Sequence, residues 1–193
     1  MFLLIFHFST KQTQWQLATQ MPYVKFILPT ATTQPVTLNM GIAMPSWYDI
    51  VGLDERSNEQ CHRILQSRER IQSLLHSEHV DHCIPYSRMA LAGFSQGGAL
   101  CLYTGLSLSP KVAGILVMSG YFAGASSFQM TPGVEETPIL HFHGTQDPIV
   151  DYLFLGKHPG KPFNVKIHIW LLHIIMFQDC LQKQKSILIL HAV

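Results

Sequence analysis

Charge is scarce in this chain. Asp, Glu, Lys and Arg make up 13% of its 193 residues, about half of the usual ~25%, and they nearly cancel to a net +1. Without a basic block, nothing directs the chain to nucleic acid or to an anionic membrane surface. Cysteine is also sparse. The four residues, Cys61, Cys83, Cys101 and Cys180, show no C-x-x-C spacing, so a reduced, cytoplasmic protein is the simpler reading. No metal site and no cofactor is predicted. Long apolar runs are missing too: the strongest, Met1 to Phe8, is too short to span a bilayer. It lacks a basic leader and a small-residue cleavage site, which favours a buried strand over a signal peptide. There are no repeats and no visible linker. Hydrophobic residues, by contrast, reach 47%, which excludes wholesale disorder and suits one domain over residues 1–193 with a substantial core.

The apolar segments fall into a regular order. Phe2 to Phe6 and Tyr23 to Leu28 read as strands, the second stopped by Pro29. Thr30 to Ile50, rich in Thr, Pro and Met, has no clear period and reads as a loop, either functional or a plain surface connector. Asn58 to His76 carries an approximate helical stripe of Ile64, Leu65, Ile71, Leu74 and Leu75. Arg88 to Ala92 reads as a strand, Gly98 to Leu106 as a helix, and Val112 to Met118 and Pro138 to His143 as further buried strands. Strand and helix alternation of this kind predicts an α/β fold with a doubly wound, mostly parallel sheet, whose sites lie beyond the C-terminal strand ends. After Val150 the pattern weakens: Val165 to Trp170 reads as a strand, while Leu171 to Phe177 and Ser186 to Val193 show neither caps nor period.

One pentapeptide carries chemistry. Gly93-Phe94-Ser95-Gln96-Gly97 has the form G-x-S-x-G and sits between a strand-type and a helix-type run, the context of a nucleophile elbow. There a serine is held in a strained backbone conformation that presents its hydroxyl. The backbone N–H of Gln96 opens the following helix and can donate to an oxyanion, where the helix dipole also favours negative charge. The competing reading is a glycine-rich βα turn whose serine caps the helix.

A serine nucleophile passes its proton to a base, normally a histidine oriented by a carboxylate. Asp147, in His143-Gly144-Thr145-Gln146-Asp147-Pro148, lies just past a buried strand, where such an acid belongs; the alternative is an Asp-Pro turn. For the base, His158, His168, His173 and His191 all follow Asp147. His168 alternates with Ile167 and Ile169 as a strand residue would, and His173, just after the predicted strand, is the best placed. A structural role for His173 stays open.

Four separate segments, Pro35 to Asn39, Ala43 to Asp49, Gly93 to Ala99 and His143 to Pro148, resemble the acyl-protein thioesterase/lysophospholipase family of small α/β-hydrolases. The resemblance is strongest over residues 23–152. It implies a cytoplasmic enzyme with a Ser-Asp-His triad, without a cofactor, that cleaves palmitoyl thioesters on proteins and also takes lysophospholipids and small esters. Ser95 and Asp147 carry over directly. Met44 and Trp47 are expected to help line an acyl channel. S-acylated proteins or lysophospholipids are the implied partners; nucleic acid and a membrane span are not implied, and the oligomeric state is open.

Both ends depart from that pattern, so the fold is expected to be incomplete there. The family's first strand enters a His-Gly-Leu-Gly-Asp loop that supplies a second oxyanion N–H, whereas this chain has His7-Phe8-Ser9-Thr10-Lys11. Near the C-terminus the family pattern puts the catalytic histidine near Ile175, two positions after His173. Two rivals follow: a catalytically impaired form that acts as an acyl-chain or protein-binding module, and a chain that does not fold stably.

Overall fold

The computed structural model describes residues 2–5, 19–52, 60–124, 128–145, 147 and 167–172 of the chain, with 2–5 and 167–172 as backbone only. Its centre is a six-stranded sheet built from β1 (Phe2–Ile5), β2 (Phe26–Ile27), β5 (Ala90–Phe94), β6 (Gly114–Met118), β7 (Ile139–Gly144) and β8 (Ile167–Leu172). The spatial order is β2-β1-β5-β6-β7-β8, and every neighbouring pair is parallel. The alternation of strand and helix segments in the sequence led to this arrangement, because parallel neighbours need crossover connections.

The chain steps outward from β1 to β2 and then returns to the other side of β1 to lay down β5. Strand order therefore reverses at β1 and β5, which are paired from Phe2↔Ala90 to Ile5↔Gly93. In an open parallel sheet such a reversal leaves a crevice at the carboxyl ends of the two strands.

Helix α2 (Gln96–Gly105) follows β5 directly and is buried along its whole length. It lies on the face bearing Leu91, Ile115 and Val117, so closely that a Cβ on Gly105 would come 2.5 Å from Ile115 Cδ1. Helix α1 (Ile64–His82) packs against α2 and buries a stripe of Ile64, Ser67, Ile71, Leu75 and Glu78. The sequence places this helix at Asn58 to His76. The described helix begins instead after Arg63, whose left-handed φ of 71° cannot belong to a helix, and runs to His82. Its final buried position is Glu78, a carboxylate held by Lys25 Nζ at 2.7 Å. An apolar-stripe reading passes over a charged residue there and stops early. Cys83, at φ 54°, closes the helix with its N–H on Glu78 O.

Strands β3 (Thr33–Val36) and β4 (Ile42–Pro45) form a separate antiparallel hairpin, a finding that corrects the loop expected over Thr30 to Ile50. A hairpin that packs only part of each strand leaves no regular apolar alternation: Ile42 is exposed, whereas Gln34 is buried. Its turn end is tied back to the chain that follows it by Asp49, whose carboxylate oxygens accept from Thr37 N–H and Thr37 Oγ1, each at 2.7 Å.

Candidate active site

Residue 95 is where β5 turns into α2. Ser95 has φ 51° and ψ −120°, a conformation unfavourable for any residue with a Cβ. The surroundings enforce it. Ser95 N–H donates to Met118 O at 2.8 Å, and Ala99 N–H donates back to Ser95 O at 3.0 Å. The turn is also too tight for a side chain at position 93, where a Cβ would lie 2.4 Å from both C and O of Gly97. The glycine before the serine is thus a packing requirement between strand end and helix start. Ser95 is half-buried, and Gln96, as the first residue of α2, has a backbone N–H outside the intrahelical bonding pattern. A half-exposed hydroxyl beside a helix N-terminus can attack a carbonyl carbon and have the resulting oxyanion met by an N–H.

The neighbouring strand ends converge on the same edge. Phe94 is opposite Met118, and Met118 is opposite Phe142. Ser119 repeats the left-handed turn with φ 46° and donates its N–H to Phe142 O at 2.8 Å. Asp147 follows β7 by three residues, its N–H on Gly144 O at 3.1 Å. One carboxylate oxygen of Asp147 lies 3.6 Å from Nε2 of His143, a fully buried side chain. Gly144 is in turn opposite Leu172, the last residue of β8. The predicted strand Val165 to Trp170 is therefore present over its described residues and continues to Leu172, with residues 165 and 166 outside the described ones. His173 comes next in sequence and lies outside the described residues, as do Ile175 and the segment His7 to Lys11.

The structure adds groups that the sequence did not single out. His141 and His143 share one face of β7, with ring centroids 5.6 Å apart. Burial, and then the neighbouring His143, lowers the pKa of His141 to about 3. Beneath the elbow, Tyr48 donates to Tyr121 OH at 2.8 Å. Burial first, then Tyr121 beside it, pushes the Tyr48 hydroxyl well above its ordinary pKa, and burial raises the Cys61 thiol to about 12. Among the described residues Cys83 and Cys101 are free thiols, and no cluster of His, Cys, Asp and Glu has the makings of a metal site.

Of the two residues expected along an acyl channel, Met44 is half-buried and Trp47 has no exposed surface. Trp47 is enclosed from several sides. Ser67 Oγ donates to its carbonyl, the Arg70 guanidinium lies 5.7 Å from its ring centre, and its N–H donates to Gln96 Oε1 at 3.1 Å. The Gln96 side chain, 2% exposed, also donates through Nε2 to Ser46 Oγ and Tyr48 O, both at 2.8 Å. The segment Ser46-Trp47-Tyr48 is thereby tied to the residue after the serine. The only sequence signal of this tie was the aromatic pair in Met44 to Asp49.

The profile of the Phospholipase/Carboxylesterase family matches residues 9–160. Acyl-protein thioesterase 1 of Neurospora crassa is 41% identical over 148 residues, which cover 72% of this chain and 60% of that protein. Acyl-protein thioesterase 1 homolog 1 of Dictyostelium discoideum is 40% identical over 129 residues, 66% of this chain and 57% of the relative. The chain thus spans about 60% of the length of the curated relatives it matches. Among solved structures, Arabidopsis thaliana SOBER1 superposes with a TM-score of 0.68 at 25% identity, over 88% of this chain and 86% of that one. Zea mays acyl-protein thioesterase 2 gives 0.70 at 22% identity, over 94% and 89%, a likeness of fold.

Proposed function

The chain belongs to the phospholipase/carboxylesterase family of α/β-hydrolases, and on that premise we propose that it is a single-domain serine hydrolase of acyl thioesters and esters, with Ser95 as the nucleophile. The observation that carries this is the strained Ser95 at φ 51°, at the reversal of strand order and immediately before the N-terminus of α2. Curated relatives named acyl-protein thioesterase support protein-bound acyl thioesters as the substrate class, with lysophospholipids and small esters as further substrates.

In the proposed reaction Ser95 Oγ attacks the acyl carbon while its proton passes to a histidine. The carbonyl oxygen becomes an oxyanion that accepts from Gln96 N–H, and collapse expels the thiolate as a thiol once the histidine returns the proton. Water then repeats the sequence on the acyl-serine and releases the carboxylic acid. Asp147 is the proposed orienting acid and His173, one residue beyond β8, the proposed base. Met44 is a candidate wall of the acyl channel, with Trp47 shaping it from behind.

A fluorophosphonate probe tests the nucleophile. Labelling of the parent that disappears in Ser95→Ala supports the assignment, and equal labelling of both rejects it. Turnover of a palmitoyl thioester in the parent, His173→Ala and Ile175→His then tests the base. Loss of turnover in His173→Ala identifies His173. Weak turnover that is indifferent to His173→Ala and raised by Ile175→His favours the impaired acyl-binding form, which the sequence His7-Phe8-Ser9-Thr10-Lys11 in the first loop supports.

A further inference from the structure

Beside its backbone N–H, Gln96 carries a heavily engaged side chain. Gln96 is 2% exposed, and its carboxamide meets three partners, two of them backbone groups of fixed character. Trp47 N–H can only donate, so the group facing it at 3.1 Å must be the amide oxygen. Tyr48 O can only accept, so the group facing it at 2.8 Å must be the amide nitrogen. Ser46 Oγ gives its own proton to Tyr48 O at 2.7 Å and receives the second N–H of Gln96 at 2.8 Å. Two backbone groups thus fix the orientation of the amide, and the site calls for one acceptor and two donors on a planar fork. A carboxamide supplies this set, whereas an ionised carboxylate would turn an acceptor towards Tyr48 O.

The partners are themselves anchored. Ser46 N–H donates to Thr32 O at 3.0 Å, Gln34 Nε2 donates to Ser46 O at 2.6 Å, and Ser67 Oγ holds Trp47 O. Position 96 is therefore clamped from the side by the exit of the β3–β4 hairpin and along the chain by the strained Ser95. We infer that the Gln96 carboxamide is a positioning residue for the reaction: it fixes the direction of its own backbone N–H as oxyanion donor and sets the hairpin, with Met44, relative to Ser95. This rests on the hydrolase reading of Ser95.

The test measures the rate, not the amplitude, of fluorophosphonate labelling in the parent, Gln96→Ala and Gln96→Glu across a range of pH. Amplitude reports the folded fraction, so a variant that folds poorly still yields a rate from its folded molecules. Hydrogen exchange at Trp47 N–H and Ser46 N–H is followed alongside. In Gln96→Ala, Trp47 exchange should quicken while Ser46, bonded to Thr32, stays unchanged. The labelling rate should fall tenfold or more, towards the ~10²-fold that a misplacement of about 1 Å costs. In Gln96→Glu the rate relative to the parent should climb as pH falls, because a protonated carboxyl regains one donor and burial raises its pKa. A flat ratio for Ala beside a rising ratio for Glu marks the hydrogen-bond requirement apart from lost packing. Three results overturn the inference: both variants labelling within about twofold of the parent, a Glu ratio that does not change with pH, or Trp47 exchange unaltered in Gln96→Ala. An unreactive parent is a separate outcome, visible without any variant. It rejects the hydrolase reading and this inference with it.

Discussion

Replacing Gly93 by alanine tests the packing logic of the elbow. The added Cβ would lie 2.4 Å from Gly97 C, 2.4 Å from Gly97 O and 2.6 Å from Gly98 N. All three atoms are backbone in the first turn of α2, so no rotamer change can relieve the contact. Either α2 retreats from β5 or the turn at Ser95 opens. Overpacking usually costs about 1–3 kcal/mol when side chains can adjust; without that adjustment Gly93→Ala should reach or exceed the upper figure, a large share of a typical 5–15 kcal/mol. Gly105→Ala is the control. Its Cβ would come as close, 2.5 Å, but to Ile115 Cδ1, the mobile end of a side chain, and alanine also gains up to about 1 kcal/mol of helix propensity. Urea unfolding of the two variants gives the comparison through the shift in midpoint at unchanged slope. A loss below about 1 kcal/mol in Gly93→Ala, or a greater loss in Gly105→Ala, would refute the argument that backbone contact makes this glycine obligatory.

Stability should fall with acid because of His141, whose pKa of about 3 in the folded state lies below the unfolded value of about 6.5. Above pH 6.5 the residue is neutral in both states and contributes no slope; between about 6.5 and 3 the unfolded chain binds more protons, so stability declines as pH falls. Urea midpoints of His141→Leu should show a shallower decline over that window than the parent, and identical slopes would contradict it. Tyr48→Phe removes the hydroxyl that donates to Tyr121 OH at 2.8 Å and should cost about 1 kcal/mol by leaving a partly buried hydroxyl short of a partner. Urea unfolding checks this, and a neutral result would mean that Tyr121 finds another acceptor or donor.

Much of the architecture was legible because a parallel sheet buries both faces of its strands and so writes them as apolar runs. Leu91, Ile115 and Ile139 each belong to such a run, and each is at most 3% exposed. The elbow was legible for a different reason: Gly93 leaves a mark in the sequence because geometry forbids any other residue. The hairpin β3–β4 was not, since its register is set by groups such as Asp49 on Thr37 and Gln34 on Ser46, which follow no period. The end of α1 was hidden by the same cause, a partly buried ion pair between residues 53 positions apart. Trp47 shows how a residue type can suggest one task and its surroundings another: a large apolar side chain fits a ligand wall, but here the ring is enclosed under Arg70.

Ser95 is held in its turn by groups from the middle of the chain. Ser95 is held by Met118 O and by the first turn of α2; Gly98 and Gly120 close on Val117 Cγ1, where added Cβ atoms would lie at 2.9 and 2.5 Å; and Gln96 is held by residues 46–48. Each of these groups lies in or just beyond β5, β6, α2 or the hairpin. By contrast, the base and the second oxyanion donor expected from the family resemblance fall after β8 and after β1. Substitution at either end would therefore change the rate at which Ser95 reacts without removing the strain that presents it. Losses at the two ends act on one transition state and need not multiply. The elbow can thus retain a measurable reaction with a phosphonylating probe even where thioester turnover is weak, because such a probe brings its own leaving group and makes less demand on a proton-donating base. A chain that labels at Ser95 but barely turns over would locate its deficit in the segments after β1 and β8, and one that does not label at all would reject the hydrolase reading.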